Sequence, residues 1–222
     1  MSDEIRRQLI EAGIAILERD GIQALSVRKL AAEVGTSTMV VYTHFGSMAG
    51  VLEAISAEIF ARFGAALAAV PHTDDPVADF FSMGARYRRF ALTNPQHYQL
   101  MFGTSVPASL SSGREDLTVT GHASSYDASF QTLCESVRRM TEAGRIRKCD
   151  EAAVAGRIWS ICHGAVTLEM AGFFGTEGHG LREILSPLTV DLLVGMGDER
   201  DRTNESLATA AAALLASGQP VS

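Results

Sequence analysis

The chain has 222 residues, a net charge of −7 and a hydrophobic content of 46%, enough for one large or two small domains with a substantial core. Its acidic balance gives no compositional sign of a nucleic-acid-binding protein. The three cysteines lack metal-ligand spacing, and their odd number suits a reducing cytoplasm.

Helical spacing of apolar residues dominates the chain, and no clear strand pattern is present, so the predicted fold class is all-α. The charged N-terminus does not resemble a signal peptide. The longest apolar run, residues 152–168, is interrupted by Arg157 and His163 and therefore predicts a buried helix, not a membrane span.

The first predicted helix covers residues 3–20, and Gly21 stops it. Its apolar stripe includes Leu9 and Ile16. Two short helices are predicted next. Ser26 can cap the first of them, Gly35 suits a sharp turn with positive φ, and Thr36 or Ser37 can cap the second.

This layout predicts a helix-turn-helix, in which the second helix enters the DNA major groove. An ordinary pair of packed helices joined by a glycine is the alternative. The predicted DNA contacts are Ser26, Arg28, Thr36, Ser37, Thr38, Met39, Val40, Tyr42, Thr43 and His44. Thr38, Tyr42 and Thr43 are expected at bases, and Ser26, Arg28 and Ser37 at phosphates.

Residues 1–50 carry five basic and six acidic side chains, so this region is not a basic patch. Phosphate contacts must therefore rely on a few local cations, hydroxyl groups and helix N-termini.

The run A-A-E-V-G-T-S, followed by V-Y-T-H-F-G-S, resembles the TetR family of bacterial regulators. Tyr42 and Phe45 match the end of that family's recognition helix. The resemblance implies an N-terminal DNA-binding domain. The family commonly has a phosphate-anchoring Lys where this chain has Met48, which cannot make that contact.

A long helix is predicted from Gly46 to about Val70, ending before Pro71, and can connect the DNA-binding region to the rest of the chain. The next predicted helix begins at Pro76. In it, aromatic residues are interleaved with Arg86, Arg88 and Arg89. Such a mixture can bind single-stranded nucleic acid. The helical spacing instead favours a core face of rings and a solvated face of arginines.

Residues 103–125 are poor in apolar side chains and predict a long loop. Helices are predicted over residues 126–143, 151–172 and 182–196, with a further helix over 205–216 from propensity alone. The helix over 151–172 is apolar around most of its circumference, so it is expected to be buried on two sides.

Trp159, His163-Gly164 and Leu168-Glu169, together with the N-P-x-x-Y-x-x-M-F run that starts at Asn94, resemble the regulatory domain of one TetR subgroup. That subgroup is named for its Trp, His and Gly. The resemblance covers roughly residues 5–195 and implies a regulatory domain after the DNA-binding one.

The predicted domains are a helix-turn-helix domain over residues 1–48, a connecting helix and linker over 49–75, a ligand-binding and dimerisation domain over 76–197, and a C-terminal tail over 198–222. We call the third domain the body. The predicted protein is a cytoplasmic homodimer, a repressor that a small, mostly apolar effector releases from its DNA operator. No cofactor is predicted.

Two sets of body residues carry the predicted binding surfaces. The expected effector site is lined by Phe90, Tyr98, Met101, Phe102, Phe130, Cys134, Val137, Trp159 and His163. The alternative is that these rings simply fill the core. The expected dimer interface comprises Ile158, Ile161, Ala165, Leu168, Leu185, Leu188, Leu192 and Met196.

No catalytic or metal-binding motif is present. Cys162 and His163 are adjacent on a predicted helix, so they point about 100° apart and cannot form a nucleophile–base pair. A helical enzyme acting in the body, and a sensor protein that has lost operator binding, are the two alternatives to a working regulator.

Overall fold

The computed structural model describes residues 2–103, 125–175 and 178–216. Over these residues it contains ten α-helices and no strand, which confirms the all-α prediction. The helices are α1 (Ser2–Asp20), α2 (Val27–Val34), α3 (Thr38–Phe45), α4 (Met48–Ala68), α5 (Pro76–Thr93), α6 (Pro95–Phe102), α7 (Ser125–Glu142), α8 (Glu151–Met170), α9 (Ser186–Gly195) and α10 (Arg200–Ala216).

Two irregular turns accompany these helices. A 3₁₀ turn, Ile22–Ala24, follows α1, and a π-helical turn, Gly180–Leu185, leads directly into α9. The predicted C-terminal helix is longer than expected, because it begins at Arg200. The predicted loop over 103–125 lies almost wholly outside the described residues.

The described residues form two compact units. The first lies within Met1–Arg62 and Thr93–Glu115, and the second within Phe63–Leu92 and Asp116–Ser222. The four domains expected from the sequence, with the three boundaries between them, remain a prediction.

The core of the first unit is built on close packing of α1 against α2 and α4. Leu9 and Ile16, from the predicted stripe of α1, are fully buried, as is Leu30 of α2. A Cβ atom at Gly13 would lie only 2.4 Å from the Ile55 Cδ1 atom of α4. The two helices therefore approach each other closely at Gly13.

Polar contacts attach α4 and α6 to α1 within the same unit. Arg62 of α4 forms an ion pair with Glu11 of α1. On α6, the Nε2 atom of buried His97 lies 3.1 Å from a Glu18 carboxylate oxygen. Burial lowers the pKa of His97, and this effect outweighs the opposing influence of Glu18.

The second unit contains a buried ion pair that the sequence pattern did not predict. Arg88 donates from Nε and Nη2 to the two carboxylate oxygens of Glu169, at 2.8 and 2.7 Å. The expectation of a solvated arginine face on α5 was therefore wrong for Arg88. Gly180 packs against the same carboxylate, since a Cβ there would lie 2.8 Å from Glu169 Cδ.

A second buried network centres on Arg145, in the connection between α7 and α8. Arg145 donates from Nε and Nη2 to both oxygens of Asp198, each at 2.8 Å, and from Nη1 to Asp75 at 3.0 Å. Ser206 of α10 donates to Asp75 at 2.7 Å. One guanidinium thus joins the segment before α5, the turn after α9 and the C-terminal helix.

Replacing Arg145 with Ala should cost about 3–5 kcal/mol in free energy of unfolding, because it leaves buried Asp198 without its countercharge. Denaturant unfolding followed by helical circular dichroism measures the loss. The control is Arg138→Ala, which removes an exposed arginine that pairs with Glu135 and Glu142 on its own helix and should have little effect. Equal effects of the two substitutions would contradict this account.

Candidate functional sites

The α2–turn–α3 segment has the local geometry that its sequence predicts. The Ser26 hydroxyl accepts a hydrogen bond from the Lys29 N–H at 3.2 Å, and Ser37 accepts from Val40 N–H at 3.4 Å. Gly35 adopts the left-handed conformation, with φ 69° and ψ 33°. Of the two expected caps for α3, Ser37 is therefore the one used.

Burial of one side chain sets the orientation of α3. Val41 is 1% exposed, so the opposite side of this two-turn helix faces solvent. Met39 is 72% exposed and Tyr42 49% exposed, and Thr38 and Thr43 are exposed beside them. The Thr43 hydroxyl donates to the Met39 carbonyl at 2.9 Å, which leaves its oxygen able to accept from another donor.

The remaining predicted DNA contacts surround this exposed side of α3. Ser26, Arg28 and Ser37 are exposed, and Thr36, Val40 and His44 are half-buried. Ser47, which is absent from the predicted contacts, accepts from the Gly50 N–H at 3.1 Å and so caps the start of α4. Met48 is the first residue of that helix.

In the second unit, three polar side chains meet among aromatic rings. Trp159 Nε1 donates to the Tyr87 hydroxyl at 3.3 Å, and that hydroxyl lies 3.3 Å from His163 Nδ1, with which it shares a hydrogen bond. The Trp159 ring packs edge-on against Phe130, with ring centroids 6.3 Å apart. Tyr87 is therefore part of this group, although the predicted effector site omitted it.

The other predicted effector-site residues are divided between the two units. Tyr98 and Phe102 of the first unit pack edge-on, with ring centroids 4.9 Å apart, and Met101 of the same helix is buried. In the second unit, Phe90 packs against Phe63, with centroids 5.0 Å apart. Cys134 and Val137 of α7 are buried in the second unit. That all nine residues line one effector site remains a prediction.

Burial also sets the chemistry of the His163 neighbourhood. It lowers the pKa of His163, so the imidazole is neutral at pH 7 and acts as a hydrogen-bonding group. Burial raises the pKa of the adjacent Cys162 thiol to about 12, which disfavours the thiolate that a nucleophile would need.

The described residues, 2–103, 125–175 and 178–216, lack two features. No helix in these ranges is long and apolar enough to cross a membrane. No group of three or more His, Cys, Asp or Glu side chains there could hold a metal ion.

Two regions of the chain match models of known protein families. Residues 9–55 match the family described as bacterial regulatory proteins, tetR family. Residues 80–192, half of the chain, match the tetracyclin repressor-like C-terminal domain. The chain belongs to the TetR family. It is therefore a TetR-type transcriptional regulator with an N-terminal DNA-binding domain and a C-terminal ligand-binding domain. The finer resemblance to the Trp-His-Gly subgroup remains a prediction.

Solved structures share the TetR fold over most of the chain. A protein of unknown function from Rhodococcus sp. RHA1 is 24% identical, with a TM-score of 0.70 over 87% of this chain and 96% of that one. RolR in complex with resorcinol is 14% identical, with a TM-score of 0.64 over 93% and 94%. The TetR family transcriptional regulator PfmR from Thermus thermophilus is 22% identical, with a TM-score of 0.51 over 72% and 84%. No curated protein matches the chain.

The predicted dimer residues of this TetR protein divide into two groups by burial. Ile158, Ala165, Leu185 and Met196 are buried within the single chain, and Ile161 and Leu192 are half-buried. Leu168 and Leu188 are exposed, together with Phe173 and Ile184, which are absent from the predicted interface. They lie on α8, the turn after it, the π-helical turn and α9, and α8 and α9 both contact the π-helical turn. We call these four side chains, Leu168, Phe173, Ile184 and Leu188, the exposed apolar patch.

Proposed function

We propose that this TetR-family regulator is a homodimeric, cytoplasmic repressor that binds a double-stranded DNA operator and leaves it when a small, mostly apolar effector binds the body. The observation that carries this proposal is the exposed side of α3, where Met39, Tyr42 and two threonines face solvent on a helix of only eight residues. These side chains combine hydroxyl groups with apolar surface, the chemistry that reads base edges and thymine methyl groups in the major groove.

Operator recognition can be tested after a preferred sequence has been selected from random double-stranded DNA. Tyr42→Ala and Thr43→Ala should each cost about 1–3 kcal/mol of discrimination against mismatched sites, because each removes a base contact. Fluorescence anisotropy with the selected site and single-base variants measures this.

The control for this experiment is Gln23→Ala, which changes an exposed side chain in the 3₁₀ turn outside α2 and α3. Unchanged affinity and sequence preference in both α3 variants would contradict the proposed docking of this helix. If the unaltered protein selects no sequence at all, the sensor alternative replaces the repressor.

The exposed apolar patch supports a two-fold dimer. Phe173 is 75% exposed, Leu168 45% and Leu188 43%, and large apolar side chains grouped on a surface are characteristic of protein interfaces. A two-fold axis through the patch would pair it with itself and give two copies of α3. Their half-sites are then expected about 34–36 Å apart, or a multiple of this distance.

Leu188→Glu should convert the protein to a monomer, because it places a charge in the self-paired patch, and operator affinity should fall strongly. Sedimentation velocity and operator titration measure the two effects. Leu215→Glu is the matched control, since Leu215 is a 65% exposed leucine of α10 and is expected to leave the dimer intact. A Leu188→Glu protein that sediments as a dimer would place the interface elsewhere.

The effector proposal rests on the Tyr87–Trp159–His163 group. Its members supply hydrogen-bonding groups among aromatic rings, which suits a mostly apolar molecule with a few polar atoms. Resorcinol, present in the RolR complex, is small enough to serve as a first probe. The ligand must favour the state that does not bind DNA, since only a difference in affinity shifts the equilibrium.

A collection of small aromatic and aliphatic compounds, including resorcinol, can be screened for release of the protein from its operator. Cys134→Trp should abolish the response to any active compound while operator binding persists, because the new ring fills space beside the proposed site. Cys134→Ala is the control at the same position and should retain the response. A normal response in Cys134→Trp would place the effector site elsewhere.

A further inference from the structure

Most cations of the first fifty residues are held by carboxylates. Arg7 pairs with Glu4 at 2.6 Å, and Lys29 pairs with Asp20 at 2.7 Å. Arg19 contacts both Asp20, at 3.0 Å, and Glu33, at 3.2 Å. These three side chains therefore already have acidic partners in the free protein, and a phosphate would have to compete with them.

Arg6 and Arg28 differ from the other three cations. Both are exposed, and neither forms an ion pair with any carboxylate among the described residues. Arg28 lies in the first turn of α2, beside the Ser26 cap. Two of the five basic side chains of this region can therefore meet a phosphate without first breaking an ion pair.

Arg6 has a defined position although it has no acidic partner. Its guanidinium carbon lies over the Phe45 ring, 5.3 Å from the ring centroid. Phe45 is the last residue of α3, so this cation–π contact places a cation from α1 at the C-terminal end of the proposed recognition helix. A guanidinium over a ring face keeps the N–H donors at its edge directed outward, where they can bind two phosphate oxygens.

We propose that Arg6 binds a phosphate of the DNA backbone, with Phe45 holding its guanidinium in place. Arg6 and Arg28 then supply the two phosphate-binding cations of each protomer. This inference rests on the proposed operator binding and adds a contact that the predicted set lacks. It also supplies a cation near the start of α4, where Met48 provides none.

The proposal sets the salt dependence of binding. Each phosphate neutralised by a cation releases counterions, so two cations per protomer give a dimer a slope of log affinity against log salt of about −3.6. Removing Arg6 from both protomers should reduce the magnitude of the slope by about 1.8. Between about 50 and 200 mM salt, the unaltered protein should then lose about 12-fold more affinity than the variant.

The experiment compares Arg6→Ala, Arg28→Ala and Arg7→Ala on the selected operator over a series of salt concentrations. Arg7 is the matched control, because it is the neighbouring exposed arginine of α1 but is paired with Glu4. We expect the slope to decrease for Arg6→Ala and Arg28→Ala and to stay unchanged for Arg7→Ala. Sequence preference should be the same in all three, because phosphate contacts carry no sequence information.

Arg6→Lys separates phosphate binding from a purely structural role of the Arg6–Phe45 contact. Lysine retains the charge, so it should restore the salt slope even if it restores only part of the affinity. A slope for Arg6→Ala equal to that of the unaltered protein, or an equal decrease for Arg7→Ala, would overturn the inference. Absence of any operator binding by the unaltered protein would overturn the proposed function itself, and this inference with it.

Discussion

The burial of Val41 is the constraint on which the DNA-facing surface depends. An isolated helix of eight residues has little stability in water, so α3 depends on packing rather than on its own hydrogen bonds. Val41 is 1% exposed, and its position fixes the rotation of the helix about its axis. That rotation decides which of the neighbouring side chains reach solvent. The left-handed turn at Gly35 and the Ser37 cap then fix where α3 begins.

Much of this local structure could be predicted from the sequence, because caps, turns and apolar stripes depend on residues only a few positions apart. Ser26, Gly35 and Ser37 each act within four residues of their own position. The buried ion pairs could not be predicted in this way. Arg88 meets a carboxylate 81 positions away and Arg145 one 53 positions away, and a helical pattern identifies charged residues only as surface candidates.

Local sequence patterns were equally unable to predict the full Tyr87–Trp159–His163 group of the second unit. Trp159 and His163 are four residues apart on one helix, so the sequence placed them together. Tyr87 belongs to α5, and the sequence pattern indicated only that its ring was part of an apolar core face. Its hydroxyl is nevertheless the atom that joins the other two side chains. A pattern of rings shows where a core lies, but only the fold shows which polar atoms meet inside it.

The absence of a side chain at Gly13 has a mechanical consequence. Since Ile55 occupies the space that a Cβ atom would need, α1 and α4 are in close contact at this position. Close-packed interiors are nearly incompressible, so they transmit displacement instead of absorbing it. The N-terminal half of α4 is therefore expected to follow a rotation of α1, because little space between the two helices can absorb it.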